Sequence, residues 1–164
     1  MERKEKLFSF LKFLEKKLGF DFNKDSFDDR LRLQKYVYIA RFLGLDHGYR
    51  FSGYLRGPYS PDLAKDYYTL SESDELKVSK EDYLHSLENF NAEKFLDIVS
   101  EKSSRWLELA TTVLYFWEIY RSVHSGEELA NRVIDKVSQI KSRASRDEVS
   151  EIFAELERKG VLLS

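Results

Sequence analysis

The chain has no cysteine, only two prolines and a single methionine among its 164 residues. Without cysteine it can form neither a disulfide framework nor a thiolate zinc site, and this favours an intracellular, cytoplasmic protein. No apolar run approaches the roughly 18 residues that a membrane helix requires, so we expect no membrane span. The charged, amphipathic N-terminus has no small-residue cleavage site and is not typical of a secretory signal.

Residue patterns typical of enzymes are equally scarce. His47, His85 and His124 are far apart in sequence and lack the short spacing of a zinc site. The seven glycines are scattered, so there is no Gly-rich phosphate loop. Ser60 lacks the flanking glycines of a nucleophile elbow and is more typical of a helix cap. We therefore expect no metal, no cofactor and no catalytic residue.

The sequence is instead rich in aromatic and charged residues. It contains 10 Tyr and 12 Phe, 34% of its residues are charged, and the net charge is −2. The charge is uneven: +5 over residues 1–60, −6 over residues 61–103 and −1 over the remainder. A dipolar surface of this kind fits docking to a protein, and its basic part also permits contact with nucleic acid.

Hydrophobic periodicity predicts a mainly α, compact multi-helix domain over residues 1–164. Its parts are N-terminal helices over 4–43, a turn motif over 50–70 and C-terminal helices over 80–164. The first helix, 4–18, carries an apolar stripe, and two phenylalanines lie off it, so we expect this helix to be apolar on more than one side. The stripe is Leu7, Phe8, Leu11, Leu14 and Leu18, and the residues off it are Phe10 and Phe13.

Cap residues predict where the other helices begin. We expect starts after Ser26, Ser60, Asn91, Ser125 and Ser145, with capping boxes at the last two. The expected spans include 61–70, 80–90 and 92–101, with a loop over 71–80 that holds a brief strand at 76–78. The segment SRWLELATTVLYFWEIYRS is apolar around most of a helix and predicts a buried, central one.

The stretch LRGPYSPDLAKDYYTL, residues 55–70, holds both prolines. Gly57-Pro58 is typical of a turn. Residues 50–56, which precede it, are typical of a short β element. Ser60 followed by Pro61 predicts an N-cap and a first helical residue. Asp62 then lies where the helix dipole favours a carboxylate. Most of this stretch is therefore interpreted as a corner before a helix.

Tyrosines and arginines concentrate around this corner. Both residue types favour interface hot spots, and both stack on single-stranded bases. Most of these tyrosines are interpreted as core residues with the hydroxyl at the rim, and Tyr54 and Tyr59, which flank the turn, as the exceptions. The set is Tyr36, Tyr38, Tyr49, Tyr54, Tyr59, Tyr67 and Tyr68, with Arg41, Arg50 and Arg56.

Asp62 and the later Glu75-Leu76-Lys77 match the carboxylate…Glu-x-Lys spacing of many Mg²⁺-dependent nucleases. The two carboxylates would hold the ion, and Lys77 would help to activate a water. Those nucleases place the residues on adjacent strands, whereas Asp62 here begins a predicted helix. We therefore favour solvated charges and retain the nuclease as the less favoured interpretation.

The last two helices and the closing LERKGVLL resemble the end of winged-helix domains, whose second helix enters the DNA major groove. Phosphate would be repelled by the acidic face of that helix, so a packing unit is favoured over DNA binding. The residues expected to be exposed on this helix are Arg146, Asp147, Glu148, Glu151, Glu155 and Glu157, against the basic Arg158 and Lys159 at its end.

RLQKYVYIARFLGL and YRFSGYLRGPYSPDLAKDYYTL resemble the Leu-Gln-Lys helix and the Gly-Pro-Tyr-Ser-Pro turn of YwgA-like proteins. That largely uncharacterised bacterial and archaeal group is similar to the wider Panacea domain of SocA-type antitoxins. RWLELATTVLYFWEIY and EVSEIFAELERKGVLL resemble its later helices, so the resemblance covers most of 26–164. The resemblance implies a helical domain that binds other proteins, and in some antitoxins the bound protein is a toxin. It implies no catalytic residues.

Within this motif we expect a buried Gln34 amide to bond the backbone of the 57–60 turn. Lys35 would form an ion pair with Asp62 or Asp66. The motif would then be a structural scaffold that joins the helix to the turn. The predicted scaffold is Gln34, Lys35, Gly57, Pro58, Ser60, Pro61 and Asp62.

The sequence thus predicts a non-enzymatic protein-interaction module, antitoxin-like or a regulatory adaptor. A nucleic-acid-binding regulator is the alternative, and the oligomeric state stays open. The predicted partner surface is Tyr54, Arg56 and Tyr59, with Arg50 and Arg41.

Overall fold

The computed structural model describes residues 3–76 and 87–162, with only the backbone of Tyr54 and Leu76. The described residues contain a two-stranded sheet and eight helices. The helices are α1 Arg3–Leu18, α2 Phe27–Arg41, α3 Pro61–Tyr68, α4 Glu72–Leu76, α5 Ala92–Val99, α6 Ser104–Tyr120, α7 Gly126–Ile140 and α8 Arg146–Arg158. The strands are β1 Ser52–Tyr54 and β2 Gly57–Tyr59, between α2 and α3. The mainly helical class with a small β element is therefore confirmed.

The chain divides into two compact units. The first comprises residues 1–52 and 59–100, and the second comprises 53–58 and 101–164. The second unit thus takes six residues from the middle of the turn motif. The prediction of one domain stays a prediction.

The core of the first unit is an aromatic cluster. Phe10 and Phe13 of α1 contact Phe90 and Phe95, with ring centroids 5.3–6.1 Å apart and mostly edge to face. Such pairs stabilise a core beyond the area that they bury. Burial of these two phenylalanines fits the prediction that the first helix is apolar on more than one side. Of the predicted stripe, Leu7 and Leu14 are buried. Phe8, Leu11 and Leu18 are only half-buried.

The core of the second unit is built around α6, which packs with α7 and α8. The predicted central helix is confirmed, since its buried residues occur on most of its circumference. They are Leu107, Leu109, Ala110, Thr111, Thr112, Val113, Leu114 and Trp117. Among residues 159–162, which follow α8, the structure places no strand. The winged-helix detail therefore stays a prediction.

Most predicted caps are present. The side chains of Ser26, Ser60, Asn91 and Ser145 each accept a hydrogen bond from a first-turn amide. Ser125 does not, so its predicted capping box was wrong. The carboxylate of Glu128, its expected partner, lies instead 3.0 Å from His124 Nδ1.

Several boundaries differ from the prediction. Residues 72–76 form α4, where a loop and the start of a strand were expected, because Asp74 accepts from the backbone and hydroxyl of Ser71. The remaining residues of that strand and the start of the 80–90 helix lie outside the described residues. Helix α2 ends at Arg41, since Phe42 and Leu43 turn back onto Ile39 and Ala40. Helices α3 and α5 end two residues earlier than predicted.

The turn of the motif was also misplaced. Leu55 and Arg56, rather than Gly57 and Pro58, connect the two strands. Gly57 has a φ of +92°, which suits the left-handed residue after a tight hairpin turn. Pro58 follows on β2, as expected of proline in an edge strand.

Candidate functional site

The Gln34 side chain binds the backbone of Ser60. Its Nε2 donates to the Ser60 carbonyl at 3.0 Å, and its Oε1 accepts from the Ser60 amide at 2.9 Å. Both residues are fully or almost fully buried. A primary amide suits this position because it offers one donor and one acceptor side by side. This is the contact that the Leu-Gln-Lys helix was expected to make.

Ser60 also begins helix α3. Its Oγ accepts from the Leu63 amide at 3.2 Å, and its carbonyl accepts from the Ala64 amide. Pro61 occupies the first turn, where its missing amide hydrogen costs nothing. Asp62 lies exposed in the same turn, near the positive end of the helix dipole. The amide, the carbonyl and the hydroxyl oxygen of buried Ser60 therefore each have a partner within the first unit.

Asp66, on the buried side of α3, binds two other segments of the first unit. Its Oδ2 accepts from Arg3 Nε at 2.8 Å and from the Tyr49 hydroxyl at 2.7 Å. Burial, followed by the hydrogen bond to Asp66, raises the pKa of Tyr49 beyond its usual range. The Lys35 side chain is buried, and its predicted pairing with Asp62 or Asp66 stays a prediction.

The tyrosines of the motif are mainly packing residues. Tyr36, Tyr38, Tyr49 and Tyr67 are buried, whereas 47% of Tyr68 is exposed. Burial raises the pKa of Tyr67 to about 12, and a neighbouring Tyr59 adds to this, while a Gln34 hydrogen bond opposes it.

The hairpin segment 53–58 packs within the second unit through two hydrogen bonds. The Gly53 amide donates to the Tyr115 hydroxyl of α6 at 3.1 Å. Lys141, at the end of α7, donates from Nζ to the Leu55 carbonyl at 2.9 Å and contacts Glu108 Oε2 at 3.2 Å. Sequence reasoning missed these contacts, because residues 62 and 86 positions apart leave no local pattern.

The tip of the hairpin is its most exposed part. Leu55 is 89% exposed, more than the other large apolar residues that the structure describes as exposed. Arg56 beside it is also exposed. Leu55 was missed as a candidate because a single leucine in a motif is usually a core residue.

The other predicted contact residues are less uniform. Arg50 is exposed. Arg41 is half-buried, with its guanidinium 5.4 Å and 5.7 Å from the ring centroids of Tyr38 and Phe51. Tyr59 is half-buried, and the Tyr54 side chain lies outside the described atoms. Of the predicted arginines, Arg50 and Arg56 are therefore the exposed ones.

The two predicted nuclease carboxylates lie on helices. Asp62 is on α3, Glu75 is on α4, and Lys77 is outside the described residues. Within 3–76 and 87–162 no three His, Asp or Glu side chains are placed to hold a metal ion together. In the same ranges no helix is both long and apolar enough to cross a membrane.

The chain is similar to a protein of Bacillus subtilis (strain 168) named "Uncharacterized protein YwgA". The two are 28% identical over 106 residues, which covers 53% of this chain and 64% of the relative. The chain thus spans a little under two thirds of that protein's length. No protein-family model matches the chain, and no solved structure matches it.

Proposed function

We propose that the protein is a non-enzymatic protein-interaction module that binds its partner through the tip of the 53–58 hairpin. The observation that carries this proposal is the 89% exposure of Leu55 next to exposed Arg56. An aliphatic side chain beside an arginine suits the centre of an interface, where burial contributes free energy and the guanidinium adds directed hydrogen bonds.

The hairpin is also held in place before any partner arrives. The Leu55 carbonyl is bonded to Lys141, and the amide of Gly53 is bonded to Tyr115. A preorganised tip loses less conformational entropy on binding than a free loop. This supports recognition by a fixed surface.

The biological role that we propose is antitoxin-like or that of a regulatory adaptor. It rests on the resemblance of the Leu-Gln-Lys helix and the Gly-Pro-Tyr-Ser-Pro motif to YwgA-like proteins, and on the similarity of that group to the wider Panacea domain of SocA-type antitoxins. The partner is then a toxin or a regulatory protein.

The proposal is tested by capturing the partner from the native cells, with and without nuclease treatment. The full chain is compared with a Leu55→Ser/Arg56→Ser variant and with a Val123→Ser/Arg132→Ser control. The control changes an aliphatic residue with 75% exposure and an exposed arginine elsewhere in the second unit.

We expect one protein to co-purify with the full chain in stoichiometric amount. Its association with the chain should persist after nuclease treatment and at raised salt, and should be lost only with the hairpin variant. Binding that disappears with nuclease, or that falls steeply with salt, would instead support the nucleic-acid alternative. Equal capture by both variants would remove the hairpin from the interface.

A further inference from the structure

The hairpin borders a small groove of the second unit, with a volume of about 220 Å³. Its walls include Gly53, Gly57 and Pro58 of the hairpin, Tyr115 and Phe116 of α6, and Ile140 of α7. This volume lies below the roughly 300–1,000 Å³ of pockets for drug-sized ligands. The groove therefore fits one apolar side chain better than a cofactor.

The groove is open because glycine forms part of its wall. A Cβ atom at Gly53 would lie 3.3 Å from the Tyr115 ring, which is a tight contact. The Tyr115 hydroxyl accepts from Gly53, and Lys141 is fixed by Glu108 and Leu55, so both sides are held by hydrogen bonds. The apolar space is a preformed feature of the second unit.

The charges around the groove are mainly positive. Lys136 Nζ lies 5.8 Å from the ring centroid of Phe116, and in the part of the chain described here no carboxylate is within 4.0 Å of it. Arg56 is exposed next to the lining residue Gly57. Glu108 offsets the charge of Lys141. Complementarity thus favours an occupant with carboxylates beside its apolar side chain.

Addition of a partner strand to the hairpin is disfavoured. Strand addition uses unpaired backbone donors along the edge. The Gly53 amide is already bonded to Tyr115, and Pro58 has no amide hydrogen. Recognition by an inserted side chain needs neither donor.

We propose that this groove binds an acidic segment of the partner protein that inserts one aromatic or large aliphatic side chain between Tyr115, Phe116 and Ile140. Carboxylates on either side of that anchor would lie near Lys136 and Arg56. This inference rests on the proposed function and adds the chemistry of the partner segment.

The test uses three short synthetic peptides and the full chain. One peptide has a phenylalanine between glutamates, the second has it between lysines, and the third replaces the phenylalanine of the first by glycine. Binding is measured by fluorescence anisotropy and mapped by amide chemical shifts.

Each variant has a matched control. Ile140→Asp is paired with Ile119→Asp, because the two isoleucines are 46% and 48% exposed and only the first lines the groove. Lys136→Glu is paired with Arg132→Glu on the same helix.

We expect the acidic phenylalanine peptide to bind at least about tenfold more tightly than the other two, with shifts at Gly53, Phe116 and Ile140. Ile140→Asp and Lys136→Glu should each weaken it, and their controls should not. Equal binding of all three peptides, or none, would overturn the inference, as would a dimer of this chain that Ile140→Asp dissociates. If the peptides fail while the Leu55→Ser/Arg56→Ser variant still loses the captured partner, the inference fails and the proposed function stands.

Discussion

Gln34 and Ser60 exchange two hydrogen bonds, of 3.0 Å and 2.9 Å, in a fully buried environment. The side-chain amide of α2 thereby fixes the backbone at the start of α3, immediately after β2. It reproduces with one residue the paired donor and acceptor of a strand neighbour. The stability of the first unit should therefore depend on this single side chain.

Gln34→Leu should lower the free energy of unfolding of the first unit by about 2–3 kcal/mol, since the hydrogen bonds to Ser60 and Tyr67 are lost and the buried Ser60 amide is left unpaired. The measurement is native-state hydrogen exchange of the α2 amides. Gln139→Leu, at an exposed position of α7, is the control and should change little. A similar small effect at both positions would show that the contact contributes nothing to stability.

Gly44 and Gly48 form a matched pair for a second prediction. Both have left-handed backbones, with φ of +96° and +85°, so alanine should cost about 1–2 kcal/mol at either position. A Cβ atom at Gly44 would also overlap the Asn89 carbonyl oxygen, whereas one at Gly48 meets no atom within 4 Å.

In urea unfolding, Gly44→Ala should therefore be destabilised by roughly 2 kcal/mol or more beyond Gly48→Ala, because backbone must move to admit the methyl group. Equal losses in the two variants would mean that the 87–90 turn can shift away without cost.

Much of this local structure was predictable because it depends on neighbouring residues. Ser26, Ser60, Asn91 and Ser145 cap helices through amides three positions ahead, and sequence reveals such spacing directly. Ser125 has the same pattern but makes no cap bond. Its intended partner Glu128 has a competing contact with His124, which the pattern does not weigh.

The site was less predictable because its contacts are remote in sequence. The sequence predicts Arg41 as a partner-binding residue, whereas in the structure its guanidinium lies over the rings of Tyr38 and Phe51. No sequence pattern indicates Leu55 as a contact residue, or Lys141 and Tyr115 as the residues that bond to the hairpin. The hairpin tip can be recognised as an exposed surface only when the positions of Lys141 and Tyr115 in the fold are known.

His47 should make the first unit sensitive to acid. Its ring is buried against Phe10 and Tyr49, and neither nitrogen has a hydrogen-bond partner among the described residues. Burial, followed by the charge of Lys6, lowers the pKa of His47 from 6.5 to about 4, while Asp46 and the Lys6 backbone favour the protonated form.

The direction of this pH dependence follows from the number of protons bound by the folded and the unfolded state. Between pH 6.5 and pH 4 the unfolded state binds the proton and the folded state does not, so stability falls as the pH is lowered through this window. From pH 7 to pH 5 the loss should be about 2 kcal/mol.

The measurement is urea unfolding of the wild type and of His47→Gln at both pH values. In His47→Gln the loss of stability of about 2 kcal/mol between pH 7 and pH 5 should be absent. The control His124→Gln, which changes a partly exposed ring, should still show that loss. An unchanged dependence in His47→Gln would assign the acid sensitivity to other groups.

The central claim, that the hairpin tip is the contact surface, is tested most directly by the dissociation constant of the captured partner for purified variants. Isothermal titration calorimetry should show that Leu55→Ser/Arg56→Ser weakens binding at least about tenfold, equivalent to about 1.4 kcal/mol. The Val123→Ser/Arg132→Ser control should stay within about twofold of the wild type. Equal dissociation constants for the wild type and the hairpin variant would contradict the account.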